Sequence, residues 1–152
     1  MKLSKFELTG KIALITGASG LLGIEHAYAL LQSGAKVVLT DISSNGLAIA
    51  KERLTKIFDE KNIIIEKMDV TDKNAINEVS KKFVNQNMRI DILINNSGIT
   101  WGSNLGNFPY SAWNKVFSTN VTGLFHLTQN LLPFLEKNAL FRWGPLCRPQ
   151  FQ

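Results

Sequence analysis

The chain has 152 residues, 45% of them hydrophobic and 19% charged, which is the make-up of one soluble globular domain, long enough to bury a core without staples and too short for a second. Its single cysteine, Cys147, excludes an internal disulfide, a paired-thiol redox motif and a cysteine zinc cluster, and fits a reducing compartment, so a cytoplasmic location and no bound metal are expected. The formal charge of +5 is spread along the sequence, with no basic cluster beyond Lys81 and Lys82, and no apolar run approaches the roughly 18 residues a bilayer span requires, so neither nucleic acid nor membrane is an expected partner.

Apolar runs alternate with helical stretches from the start, the pattern of a parallel sheet with crossover helices. Ile12 to Ile15 read as a first strand buried on both faces. A glycine-rich turn, Gly17 to Gly23, follows, and then a helix on which Leu22, His26, Ala29, Leu30 and Ser33 recur near helical spacing, with Gly34 as its cap. Val37 to Leu39 make a second strand ending at Asp41. Ser43 or Ser44 caps a helix through Leu47, Ala50, Leu54 and Ile57. Ile63 to Ile65 are a third strand, and Thr71 or Asp72 opens a helix whose buried side carries Ala75, Ile76, Val79 and Phe83. Ile90 and Ile92 to Ile94 are a fourth strand, ending in Asn95, Asn96, Ser97 and Gly98. After a loop from Gly102 to Pro109, a helical region runs from about Trp113 to Lys137, with Pro133 in its last turns, where a kink is expected.

The segment from Thr16 to Gly23 (Thr-Gly-Ala-Ser-Gly-Leu-Leu-Gly) lies between a strand and a helix, where a dinucleotide phosphate loop belongs. Glycine permits a sharp turn and close approach of the main chain, and the free amides and positive end of the next helix favour an anion. The contacts expected here are Gly17, Ser19, Gly20, Leu22 and Gly23; the alternative is a tight turn with no ligand. Asp41 ends the second strand close to the roughly twenty residues expected before the acid that receives the ribose hydroxyls. Asp41 and its neighbour Ile42 are therefore placed at the adenosine sugar. A carboxylate there repels a 2'-phosphate, and no lysine or arginine in the turn or just after Asp41 offsets it, so NAD is expected in preference to NADP. The alternative is that Asp41 only caps the following helix.

These residues resemble the classical short-chain dehydrogenases/reductases, from about Gly10 to Asn138. Thr16, Gly17 and Gly23 match the family's turn, while its middle glycine is replaced by Leu21, with Gly20 just before it. Asp69 and Val70 resemble the pair whose carboxylate bonds the adenine amino group. Asn95, Asn96, Ser97 and Gly98 are similar to its Asn-Asn-Ala-Gly segment, and Asn120, Val121, Gly123, Phe125, Leu132 and Pro133 to the helix that contributes a catalytic asparagine. The resemblance implies a Rossmann-type, doubly wound α/β fold, with a parallel sheet ordered 3-2-1-4. It also implies binding of a nicotinamide dinucleotide and hydride transfer between the nicotinamide and a carbonyl or alcohol carbon of a small-molecule substrate. Of the catalytic set, only Asn120 is expected, as the holder of a relay water. The family's serine, tyrosine and lysine follow the matched region; Tyr28 and Tyr110 have Gln32 and Asn114 four places on, and are read as packing or surface residues.

Residues 1–138 are accordingly read as an incomplete dinucleotide-binding domain, inactive alone. Residues 139–152 form an irregular tail with Pro145 and Pro149, two of the chain's four arginines and no acidic residue or lysine; either this end is not native to the domain, as after a frameshift, or it is an ordinary tail. His26 and His126 lack partners at ligand spacing and are read as helix residues, and Trp101 and Trp113 as packing rather than a substrate cleft. The 110–137 helices resemble those through which family members form oligomers, so a homo-oligomer, or joining to an intact relative, is a further expectation.

Overall fold

Four runs of aliphatic and β-branched residues, the types that fit a pleated surface covered on both sides, pair in parallel. They are β1 (Ile12–Thr16), β2 (Lys36–Asp41), β3 (Ile63–Lys67) and β4 (Ile92–Ile94), and they lie in the order β3-β2-β1-β4. A computed structural model describes residues 6–104 and 106–136; the expected tail from 139 to 152 and the end of the last helix at Lys137 lie outside these. In register, Thr16 stands beside Thr40 and Ile15 beside both Leu39 and Ile94, so the carboxyl ends of β1, β2 and β4 finish together. The order reverses at β1, and the crevice beyond its end is where an open α/β sheet receives a ligand.

Helices cover both faces. Helix α1 (Leu21–Gln32) and α2 (Ser44–Thr55) bury Ala27, Leu31, Leu47, Ala50 and Leu54 against Ile15, Val37, Leu39 and Ile63. On the other face, α3 (Lys73–Asn85) and α5 (Leu124–Glu136) bring Ile76, Val79, Phe83, Leu127 and Leu131 onto Leu14, Val38 and Ile90. Between them come α4 (Tyr110–Phe117) and a π-helical stretch, Ser118–Gly123.

The capping expectations resolve to Ser43 and Asp72: the Ser43 hydroxyl accepts from the Gly46 amide, and the Asp72 carboxylate from that of Asn74. Gly34, at φ +92°, ends α1 with its own amide on the Leu31 carbonyl and that of Ala35 on Leu30, a paired closure that needs a left-handed residue.

Three details depart from the sequence reading. The buried stripe of α1 is Gly23, Ala27 and Leu31, not the one through Leu22, His26 and Ala29, because the two small residues let the helix lie close on the sheet. Ile57 falls beyond the end of α2 and is exposed; Phe58 turns inward instead and meets Tyr28 edge-on at 5.2 Å. Ile90 is fully buried but stands ahead of β4, where Asp91 fastens the strand to the start of β1. The Asp91 carboxylate accepts from the Ile12 amide (3.0 Å) and pairs with Lys11 (3.3 Å) and Arg89 (2.8 Å). The last helical region is one continuous run, as read, and α5 passes through Pro133, but its hydrogen-bond register changes at the π stretch.

Candidate active site

The glycine turn is shaped first by packing within the protein. Gly17 has φ +60°, and a Cβ on it would lie 3.0 Å from the Ser97 Cα, so the turn crosses the end of β4 at backbone distance. At Gly23 a Cβ would come within 2.4 Å of the Gly17 carbonyl oxygen, which lets the first turn of α1 rest directly on the loop. Gly20 is the N-cap and offers no side chain to the amides behind it, leaving the positive end of α1 free of an internal carboxylate or hydroxyl. Leu21 and Leu22 open the helix with exposed side chains, so the leucine standing in place of a glycine meets no obstruction.

Asp41 is tied to this turn. Its Oδ2 accepts from the Ser19 amide (3.1 Å) and hydroxyl (2.7 Å), and its Oδ1 from the Ser43 amide (3.0 Å). The expected alternative, that Asp41 caps the following helix, is met only in part: Asp41 receives the Ser43 amide ahead of α2, while Ser43 is the cap. Gly46, which the sequence reading passed over, makes the arrangement possible, since a Cβ there would sit 2.7 Å from that of Ser19.

Behind the loop, Thr16 is the hub. Its buried hydroxyl accepts from the amides of Asn96 (3.0 Å) and Ser97 (2.9 Å), and the Asn96 side chain donates to the carbonyls of Thr16 and Gly17, both at 3.0 Å. These bonds weld the end of β4 to the glycine turn. Asn95 points elsewhere, donating to the Thr128 hydroxyl on α5.

A cleft of about 500 Å³ opens over these strand ends. It brings together seven of the expected residues, Gly17, Asp41, Ile42, Asp69, Val70, Ser97 and Gly98, and adds Met68, Thr71, Ile99, Lys115, Ser118 and Thr119. Ser19 and Asn96 reach it through their bonds to Asp41 and Gly17. Gly20, Leu22 and Gly23, at the start of α1, are not among its lining residues, nor is Asn120. Asp69 accepts from the Thr71 amide (2.8 Å) and hydroxyl (2.7 Å), both on Oδ1.

Asn120 lies in the π stretch: its Oδ1 accepts from the Ile99 N–H and its Nδ2 donates to the Ile99 carbonyl, both at 2.9 Å. The side chain therefore clamps the strand that leaves Gly98. Trp113 stacks on Phe117 at 4.9 Å; neither Trp101 nor Trp113 lines the cleft, and both are about half exposed rather than packed into the core.

A glycine turn at the switch point, an uncapped helix end and a carboxylate at the tip of β2 thus lie together at the carboxyl ends of the strands. The family described as short chain dehydrogenase matches residues 11–140. The chain belongs to the short-chain dehydrogenase family. Among its relatives, the rhamnolipid-biosynthesis 3-oxoacyl-[acyl-carrier-protein] reductase of Pseudomonas aeruginosa is 35% identical over 134 residues, 88% of this chain and 51% of that protein. The FabG 3-oxoacyl-[acyl-carrier-protein] reductase of Thermotoga maritima is 36% identical over 135 residues, 86% of this chain and 52% of its own. In structure, the P. aeruginosa RhlG/NADP active-site complex superposes with a TM-score of 0.80 at 34% identity, over 88% of this chain and 51% of that one. A short-chain dehydrogenase/reductase from Mycobacterium marinum gives the same TM-score at 28% identity, over 88% and 52%. The chain thus spans about half the length of the short-chain dehydrogenases it matches.

Proposed function

We propose that this chain is the dinucleotide-binding part of a short-chain dehydrogenase, that it holds NAD in preference to NADP, and that by itself it does not turn over substrate. The bound nicotinamide would supply a hydride acceptor or donor for a carbonyl or alcohol carbon. This chain's own residues hold the cofactor: the first-turn amides of α1 and the Gly17–Gly23 backbone bind the pyrophosphate, Asp41 and Ile42 the adenosine ribose, Asp69 and Val70 the adenine, and Asn96, Ser97 and Gly98 the floor beneath the nicotinamide half.

The observation that carries the reading is Asp41, set at the strand end by Ser19 and Ser43, with no lysine or arginine between Gly17 and Ala50 other than Lys36 at the opposite end of β2. A 2'-phosphate placed at that sugar would meet the Asp41 carboxylate, which forms no ion pair among the described residues although Lys67 stands beside it in register on β3, whereas a 2'-hydroxyl can donate to it. RhlG was solved with NADP, so likeness to that relative does not favour NAD; Asp41 does. Calorimetric titration of the folded chain is expected to give a dissociation constant for NAD at least about tenfold below that for NADP, a difference of roughly 1.4 kcal/mol. Equal or tighter NADP binding would remove the preference, and no heat with either would remove the binding.

The proposal of silence rests on the absence, among all 152 residues, of a tyrosine followed four places on by lysine. Asn120, the one expected member of the catalytic set, holds Ile99 through its side-chain amide. Substrate-dependent NADH formation by the purified chain would refute that silence. An exposed apolar stripe along α4 and α5 supports a further reading, association with a second copy or with an intact relative.

A further inference from the structure

Among the described residues, Lys115 is the one lysine or arginine lining the cleft that contains Asp41 and Asp69. It comes from α4, remote in sequence from either carboxylate, and the Thr119 hydroxyl donates to its carbonyl (3.1 Å), which sets Lys115 and Thr119 on one face of the helical run. That face is at the Asp69 end of the cleft. Thr119 shares a small void with Val70, and Gly123 in the same stretch lies so close to Val70 that a Cβ would come within 2.6 Å of its carbonyl oxygen. The ammonium has no ion-pair partner among the described residues, although the cleft wall carries two carboxylates.

We infer that Lys115 selects the base of the dinucleotide, donating to a ring nitrogen of adenine on the edge whose amino group faces Asp69. The edge of adenine carries an amino donor beside a ring-nitrogen acceptor, and an acceptor and a donor from the protein, Asp69 and Lys115, match that pair. A hypoxanthine base carries a carbonyl and a protonated ring nitrogen at the same two places and mismatches both. The inference rests on the dinucleotide reading above and extends it from the sugar to the base.

The test uses the whole chain and two probes, NAD and nicotinamide hypoxanthine dinucleotide, titrated into the unaltered protein, K115M, K115Q and K115R. Removing one charge-assisted bond at an exposed site is expected to weaken NAD binding about threefold to tenfold in K115M and K115Q, with K115R retaining most of it. The preference for NAD over the hypoxanthine analogue should narrow in K115M, a change that a lysine serving only solubility or folding would not produce. Lys115 is exposed, so the variants are expected to keep the unaltered far-ultraviolet dichroism; if one substitution fails to fold, the other carries the comparison. NAD binding within twofold of the unaltered chain in K115M and K115Q, with the base preference unchanged, overturns the inference while leaving the dinucleotide reading intact. An unaltered chain that is folded but binds neither probe overturns both.

Discussion

At Gly23 the fit between helix and loop is backbone against backbone, so nothing flexible can yield to an added methyl. G23A is expected to destabilise the chain by about 1–3 kcal/mol, the usual range for overpacking. G102A, where a Cβ would meet nothing within 4 Å, should leave the denaturation midpoint unchanged and serves as the control. Thr16 poses the opposite problem. Valine there keeps the shape and removes the oxygen that receives two amides, leaving the Ser97 amide facing a methyl and the Asn96 amide with only the Ile94 carbonyl; T16V is expected to cost about 1–3 kcal/mol in urea denaturation and to weaken NAD binding by loosening Asn96 from Gly17. A T16V chain as stable as the original would show that the hub is not what holds the turn. The glycines and Asp41 were legible in the sequence because their requirement is local or lies at a fixed offset along the strand-turn-helix unit. Gly46 was not, since its need for a missing side chain is created by Ser19 on another element. Lys115 was equally hidden, as nothing in its neighbours along α4 marks a cleft wall.

Among the elements, β4 is the shortest strand and the one most dependent on a single side chain. Burial works to raise the Asp91 carboxyl, but the Ile12 amide, Lys11 and Arg89 together hold it below the ordinary value of 3.8. A depressed carboxyl contributes stability above the unfolded value and loses it as pH falls through the lower, folded one. Thermal unfolding should therefore find D91N less stable than the original by about 1–2 kcal/mol near neutral pH, with the gap closing as pH drops below about 3.8. A gap that stayed constant down to pH 2 would mean that the ionised carboxylate is not the stabilising species. The strands and the helices α2 and α3 could be read because apolar period and capping residues are written along them, and the strand order because the motifs resemble those of a family whose sheet has that order. The π stretch could not be. Its shift of register comes from Gly123 lying on Val70 and Asn120 clamping Ile99, two contacts that a helical period cannot display.

At the scale of the whole molecule, the question is what covers the outer side of α4 and α5. Trp113, Phe117, Val121 and Phe125 follow one another every four residues and are 50%, 45%, 48% and 56% exposed, a continuous apolar ridge rather than scattered side chains. Beside the same half of the molecule, β4 pairs only with β1 among the described residues, leaving its outer edge with open backbone groups. Two surfaces could thus drive self-association, and they differ in how they respond to substitution. Carboxylates on the ridge, as in V121E and F125E, repel a helix-to-helix partner but leave the hydrogen-bonding edge of β4 as it was. If the ridge is the contact, sedimentation of the unaltered chain should show concentration-dependent assembly that the double variant reduces to monomer, with both samples keeping the same dichroism. Assembly unchanged in the variant would point instead to the β4 edge, and its growth without limit, rather than closure at a dimer or tetramer, would be the signature of strand-to-strand addition.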